Sequence, residues 1–183
     1  APVTPYALLC CNTYGALSQN NSEPQHAYRP FDKNRSGCVI GEGSGVMVME
    51  SVERAKSRKA DILALISGYA TTCDGVDRIN CASDGEELAR AIKEALLDAK
   101  AGPSDIDYIS LDGLAVDLWD NSEVEAIKNV FGERIKDIPV SCPKSMFGNL
   151  LGASGAVDLI STILAMENNL VPPTVNLDSP ALG

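Results

Sequence analysis

Lys144-Ser145-Met146-Phe147-Gly148-Asn149-Leu150-Leu151-Gly152-Ala153-Ser154-Gly155-Ala156 lies between a short apolar run and a helical stretch. The run before it, Ile138 to Cys142, reads as a strand. After it a helix is predicted from about Gly155 to Asn168, and Pro172-Pro173 cannot continue it. The apolar stretch Leu150 to Met166 is thick with Gly, Ala and Ser and carries Asp158 near its middle. It therefore falls short of a membrane span and reads as a buried helix.

Working outward, the same exchange of strand and helix recurs. Asp107 to Leu111 reads as a strand running into Asp112-Gly113, and Ser122 to Glu125 has the spacing of a capping box, opening a helix that Gly132 closes. Upstream, Ser83-Asp84-Gly85-Glu86 repeats that spacing before Leu88, Ile92, Ala95, Leu96 and Ala99 at helical intervals. Strands are predicted over Gly45–Glu50 and Ile62–Ala70, with a short charged helix from Ser51 to Lys59 between them. Ser18 to Arg35 is polar and turn-rich and reads as surface loop. Regular alternation implies an α/β layered fold with a mostly parallel sheet.

Composition narrows the class. With 45% hydrophobic and 22% charged residues in 183, the chain can bury a core. Its formal charge of -10 opposes a phosphate backbone, so nucleic acid is not expected as a partner. Six cysteines without a CxxC pair and a single histidine, His26, do not make a zinc set, and no metal is expected. Nothing reads as an export leader or a membrane span, and a reducing cytoplasm is the expected location.

Three segments together are specific. Arg29-Pro30-Phe31-Asp32-Lys33-Asn34-Arg35-Ser36-Gly37, then Gly41-Glu42-Gly43-Ser44-Gly45, then the Lys144 to Ala156 segment resemble the β-ketoacyl-acyl carrier protein synthases in type and order. Asp105 to Ile109 and Pro172-Pro173-Thr174-Val175-Asn176-Leu177 extend the resemblance over nearly the whole chain. It implies a thiolase-like layered fold, part of an αβαβα sandwich. Residues 1–50 would end the N-terminal half, and 51–183 would form most of the C-terminal half. The nucleophile position of that family lies upstream of this chain and its closing hairpin beyond Gly183, so a piece of a larger subunit is expected.

In that family two histidines hold the malonyl thioester oxygen while carbon dioxide leaves and an enolate forms. The matching positions here are Asp112 and Asn149. A carboxylate with a reference pKa of about 3.9 repels an enolate, and an amide exchanges no proton near pH 7. The threonines that contact the pantetheine arm are replaced by Leu114 and Val116, whereas Lys144 and Glu123 keep the lysine and glutamate that form a supporting polar pair. This pattern resembles the chain length factor of type II polyketide synthases, the non-condensing partner of an active ketosynthase in aromatic polyketide synthesis. The resemblance implies a heterodimer with that ketosynthase and contact with an acyl carrier protein. The phosphopantetheine arm would then act through the partner, with no cofactor bound by this chain.

Two other readings stay open at this point: an active condensing acyltransferase, and a hydrolase using Cys142. Cys142 reads as a buried small hydrophobe and His26 as an exposed loop residue. The cluster Arg54, Lys56, Arg58 and Lys59 reads as a solvated face rather than a carrier-protein dock. The glycines at 41, 43 and 45 precede an apolar strand instead of joining strand to helix, which disfavours a nucleotide site.

Overall fold

The computed structural model describes residues 2–77 and 79–181. In chain order its elements are α1 (Pro5–Thr13), α2 (Val52–Ser57), α3 (Glu86–Asp98), β1 (Ile109–Ser110), α4 (Asp117–Phe131), β2 (Val140–Ser141), α5 (Lys144–Phe147) and α6 (Ser154–Asn168). β1 and β2 pair in parallel, Ile109 with Val140 and Ser110 with Ser141. Parallel strands need a long crossover, and α4 supplies it. Leu111, Ile127, Phe131, Ile138 and Cys142 form the core beneath this unit, with Ile92 of α3 and Phe31 packed against it. The strands expected over Asp107–Leu111 and Ile138–Cys142 are thus present but shorter.

The runs 45–50 and 62–70, expected as strands, join no ladder among the described residues. The burial of 41–48 still alternates, odd-numbered residues half-buried and even-numbered ones exposed, the two-residue period of a strand. Val46 is 88% exposed and Val48 86%. On the other face, Gly41, Gly43 and Gly45 lie against Phe147, Leu150 and the Ala156–Ile160 side of α6. A Cβ on Gly41 would stand 2.1 Å from the Phe147 carbonyl oxygen, beside the parallel bridge of Ile40 to Asn149. Gly41→Ala is expected to lower stability by about 1–3 kcal/mol, read as a shifted denaturant midpoint of the complete subunit. An unchanged midpoint would contradict this close approach.

Leu63, Leu65, Ile66 and Tyr69 are also exposed, and of α6 only Ser154 is buried. The reading of Leu150 to Met166 as a buried helix is therefore corrected: within this chain Leu150 and Ser154 are buried, residues 156–163 are half-buried, and Leu164 and Met166 are exposed. The accessible surface is 11246 Å². A compact monomer of 19.3 kDa would expose about 8,500 Å². The chain thus exposes about 2,700 Å² more than that, with Val46, Val48, Leu63 and Leu65 among its exposed apolar side chains.

Local start signals were overridden in two places. α3 begins after Gly85, which serves as N-cap at φ +66, while the Glu86 N–H is taken by Asp84 Oδ1 at 3.1 Å; Ser83 caps nothing. α4 begins at Asp117, six residues before the start that a Ser122 cap implies, because Ser122 is drawn inside and donates to the Ala82 carbonyl at 2.8 Å. By contrast Ser51 caps α2 as its position suggests. α1, which was not anticipated, has its signal in Thr4-Pro5: the Thr4 hydroxyl accepts the Ala7 N–H and proline opens the first turn. The 18–35 segment is surface only in part, since Ala27, Tyr28, Pro30 and Asp32 are buried. Asp32 accepts the N–H groups of Asn34, Asp178 and Ser179 and so ties the end of the described chain to this loop.

Candidate functional site

The strand β1 delivers the chain into a turn, 112–116, with two left-handed residues, Gly113 at φ +55 and Ala115 at φ +59. A Cβ on Gly113 would meet the Cys142 sulfur at 2.6 Å, so glycine is required there on two counts. Glu123 of α4 accepts the N–H of Asp112 at 2.7 Å and of Gly113 at 2.9 Å. Tyr28 donates to the Gly113 carbonyl at 2.9 Å, and Asp120 accepts the Ala115 N–H at 2.9 Å. The Ala115 carbonyl receives the Gly37 N–H at 2.7 Å.

Lys144, at the start of α5, points its ammonium under this turn. Its side chain is 2% exposed, and its Nζ lies 2.6 Å from Asp112 Oδ1 and 2.6 Å from Asp158 Oδ2. The Asp112 carbonyl oxygen stands 3.3 Å from the same nitrogen. Burial opposes the charge on Lys144, but the two carboxylates outweigh it and hold its pKa above the ordinary value. The direct Lys144–Glu123 pair implied by the resemblance is not formed. Glu123 holds the backbone of Asp112 and Gly113 while Lys144 holds the Asp112 carboxylate, so both converge on one turn from different sides.

Burial pushes the Glu123 carboxyl up to about 7, with its two N–H donors pulling the other way and Asp112 and Asp120 adding to the rise. An unfolded glutamate titrates near 4.3, so between about 4.5 and 7 the folded state keeps a proton that the unfolded chain has lost. This group's contribution to stability therefore falls as pH rises through that window. Thermal midpoints from pH 5 to 8 are expected to drop less in Glu123→Gln than in wild type. Equal slopes in the two proteins would refute the shift.

Asn149 is 7% exposed. Its Oδ1 accepts the Leu151 N–H at 2.8 Å and the Ser154 hydroxyl at 3.2 Å, so the side chain serves the backbone around it. His26 is exposed, its Nδ1 3.1 Å from Asn176 Oδ1. Cys142 is fully buried, its thiol 3.4 Å from the Asp112 carbonyl oxygen, and burial pushes it up to about 12. Such a thiol stays protonated at neutral pH and makes a poor nucleophile. Arg54 and Arg58 are ion-paired with Glu50 on the surface of α2.

The sequence reading missed four members of the site: Tyr28, Arg35, Asp120 and Asp158. Asp120 is fully buried, accepts the Phe31 N–H at 2.8 Å and faces Arg35 Nε at 3.4 Å. Arg35 also reaches Asp117 at 2.8 Å. Of these four, Asp158 carries a signal in the sequence, being a lone acid inside an apolar helical run. No group of three or more His, Cys, Asp or Glu able to hold a metal occurs among the described residues. Nor is any helix among them long and apolar enough to cross a membrane.

Comparison with known proteins gives a consistent result. Residues 63–178 match the C-terminal domain of beta-ketoacyl synthase and residues 1–55 its N-terminal domain. A putative polyketide beta-ketoacyl synthase 1 of Streptomyces cyaneus is 41% identical over 180 residues, 98% of this chain and 43% of that protein. The chain thus spans less than half the length of this relative. A structure described as a type II polyketide synthase acyl-carrier protein in complex with its ketosynthase bound to the hexaketide matches with TM-score 0.95 at 38% identity, over 100% of this chain and 45% of that one. The ishigamide ketosynthase/chain length factor matches with TM-score 0.86 at 35% identity, over 98% and 42%. The fold is the thiolase-like fold of these ketosynthases.

Proposed function

We propose that this chain, which belongs to the beta-ketoacyl synthase family, is the C-terminal part of a non-condensing, chain-length-factor-like subunit. In this reading it pairs with a catalytic ketosynthase in the cytoplasm and helps set polyketide chain length. The acyl chain rides on the phosphopantetheine arm of an acyl carrier protein that is served by the partner. The carrying observation is the ion pair of Asp112 with the buried Lys144, at the position where the resemblance calls for a histidine. Condensation needs N–H donors aimed at a developing enolate oxygen. Here that position carries an anion already committed to an ammonium, and the Asn149 oxygen is engaged inward as an acceptor.

The uncovered apolar surface supports a second part of the reading, that the upstream half of the same subunit packs over runs 45–50 and 62–70. An active synthase remains the rival, favoured by the name of the Streptomyces cyaneus relative. The test is to purify the complete subunit alone and with a ketosynthase that has its cysteine and both histidines, then assay malonyl condensation. Activity of the pair and none of the subunit alone is expected. Condensation by the subunit alone would overturn the proposal.

A further inference from the structure

The loop that carries Asn149 is built into the start of α6. Its backbone N–H donates to the Val39 carbonyl at 2.8 Å, and its carbonyl accepts the Gly41 N–H at 3.0 Å. The Asn149 amide oxygen takes the Leu151 N–H and the Ser154 hydroxyl, and Ser154 Oγ in turn accepts the Leu150 N–H at 3.0 Å. Leu151 sits at φ +52, a conformation that costs a side-chain-bearing residue about 1 kcal/mol and persists only where neighbours hold it. Ser154 opens α6 and is its one buried residue. Four residues on, one turn up the same face, stands Asp158, with Oδ2 2.6 Å from Lys144 Nζ.

We infer that Asn149 is a positioning residue for the Lys144 ammonium. It seats the first turn of α6 so that Asp158 reaches Lys144, and Lys144 in turn holds Asp112. The two positions at which the chain departs from the histidine pattern are thereby parts of one connected unit. The inference concerns the chain's own contacts and stands or falls whether or not the subunit condenses. Two donors use the Asn149 oxygen at once. A neutral imidazole offers one acceptor nitrogen and an imidazolium none, whereas a carboxylate offers the same two-donor acceptor as the amide.

The test reads the buried amine itself. The complete subunit with its partner is exposed to an amine-directed reagent, and labelling of Lys144 is followed by peptide mass spectrometry. Asn149→Ala, Asn149→His and Ser154→Ala are each expected to raise the Lys144 labelling rate about fivefold, the rise in open population that loss of one net hydrogen bond produces. Asn149→Asp should return it to within about twofold of wild type. Ile138→Val, which thins the core cluster at a residue outside α6, should leave it unchanged. Wild-type protection in Asn149→Ala, no rescue by Asn149→Asp, or an equal rise in Ile138→Val would each overturn the inference.

Discussion

Lys144→Met in the complete subunit is expected to lower the unfolding free energy by about 3–5 kcal/mol. The ammonium is 2% exposed and lies 2.6 Å from each of two carboxylates, one on the 112–116 turn and one on α6. Removing it leaves Asp158, only 18% exposed, facing Asp112 with no cation between them. A buried charge stripped of its partner costs far more than an exposed one, because neither water nor a counter-ion replaces the lost attraction. Asp112 is 65% exposed and can turn to solvent, so most of the loss falls on Asp158 and α6. Chemical denaturation followed by circular dichroism measures the effect. A change under about 1 kcal/mol would mean that the ion cluster is a surface feature of little energetic weight.

Asp120→Ala should be of similar size, about 3–5 kcal/mol, for a different reason. Asp120 joins two loops: Oδ2 accepts the Phe31 N–H and Oδ1 the Ala115 N–H. It also faces Arg35, whose side chain is 4% exposed and whose other carboxylate partner, Asp117, is at the surface. Truncation orphans two N–H groups and weakens the hold on Ala115 at φ +59. Asp120→Asn keeps one acceptor and should cost about half as much. Amide exchange should accelerate at both Ala115 and Phe31 in Asp120→Ala and at one of the two in Asp120→Asn. If it accelerates in neither, Asp120 does not hold these loops.

The two predictions turn on residues of unequal legibility. Lys144, Glu123, Asp112 and Asn149 could be named from the chain because each sits at a fixed offset within a local segment. Asp120 and Arg35 could not, since their pairing exists when loop 29–37 meets the start of α4, a contact between segments more than 80 residues apart in the chain. The capping-box spacings at Ser83 and Ser122 misled for a related reason. Local propensity contributes about 1 kcal/mol at a helix start, and the burial of Gly85 and Ser122 against neighbouring elements outweighed it.

By itself the sequence determined the α/β alternation, the helical stretches of α3 and α6, the family, and that Asp112 and Asn149 stand where the resemblance calls for histidines, because these depend on short-range periodicity and residue identity. Tertiary structure alone decided how the changed site is wired. Lys144 pairs with Asp112 and Asp158 rather than with Glu123, and Asn149 serves α6. It also decided which apolar runs stay uncovered: Gly45–Glu50 and Ile62–Ala70 have strand character in sequence, but a strand exists only through a partner's hydrogen bonds. Charge pairing and strand pairing are both contacts between distant segments, and no local pattern specifies which distant segment will be there.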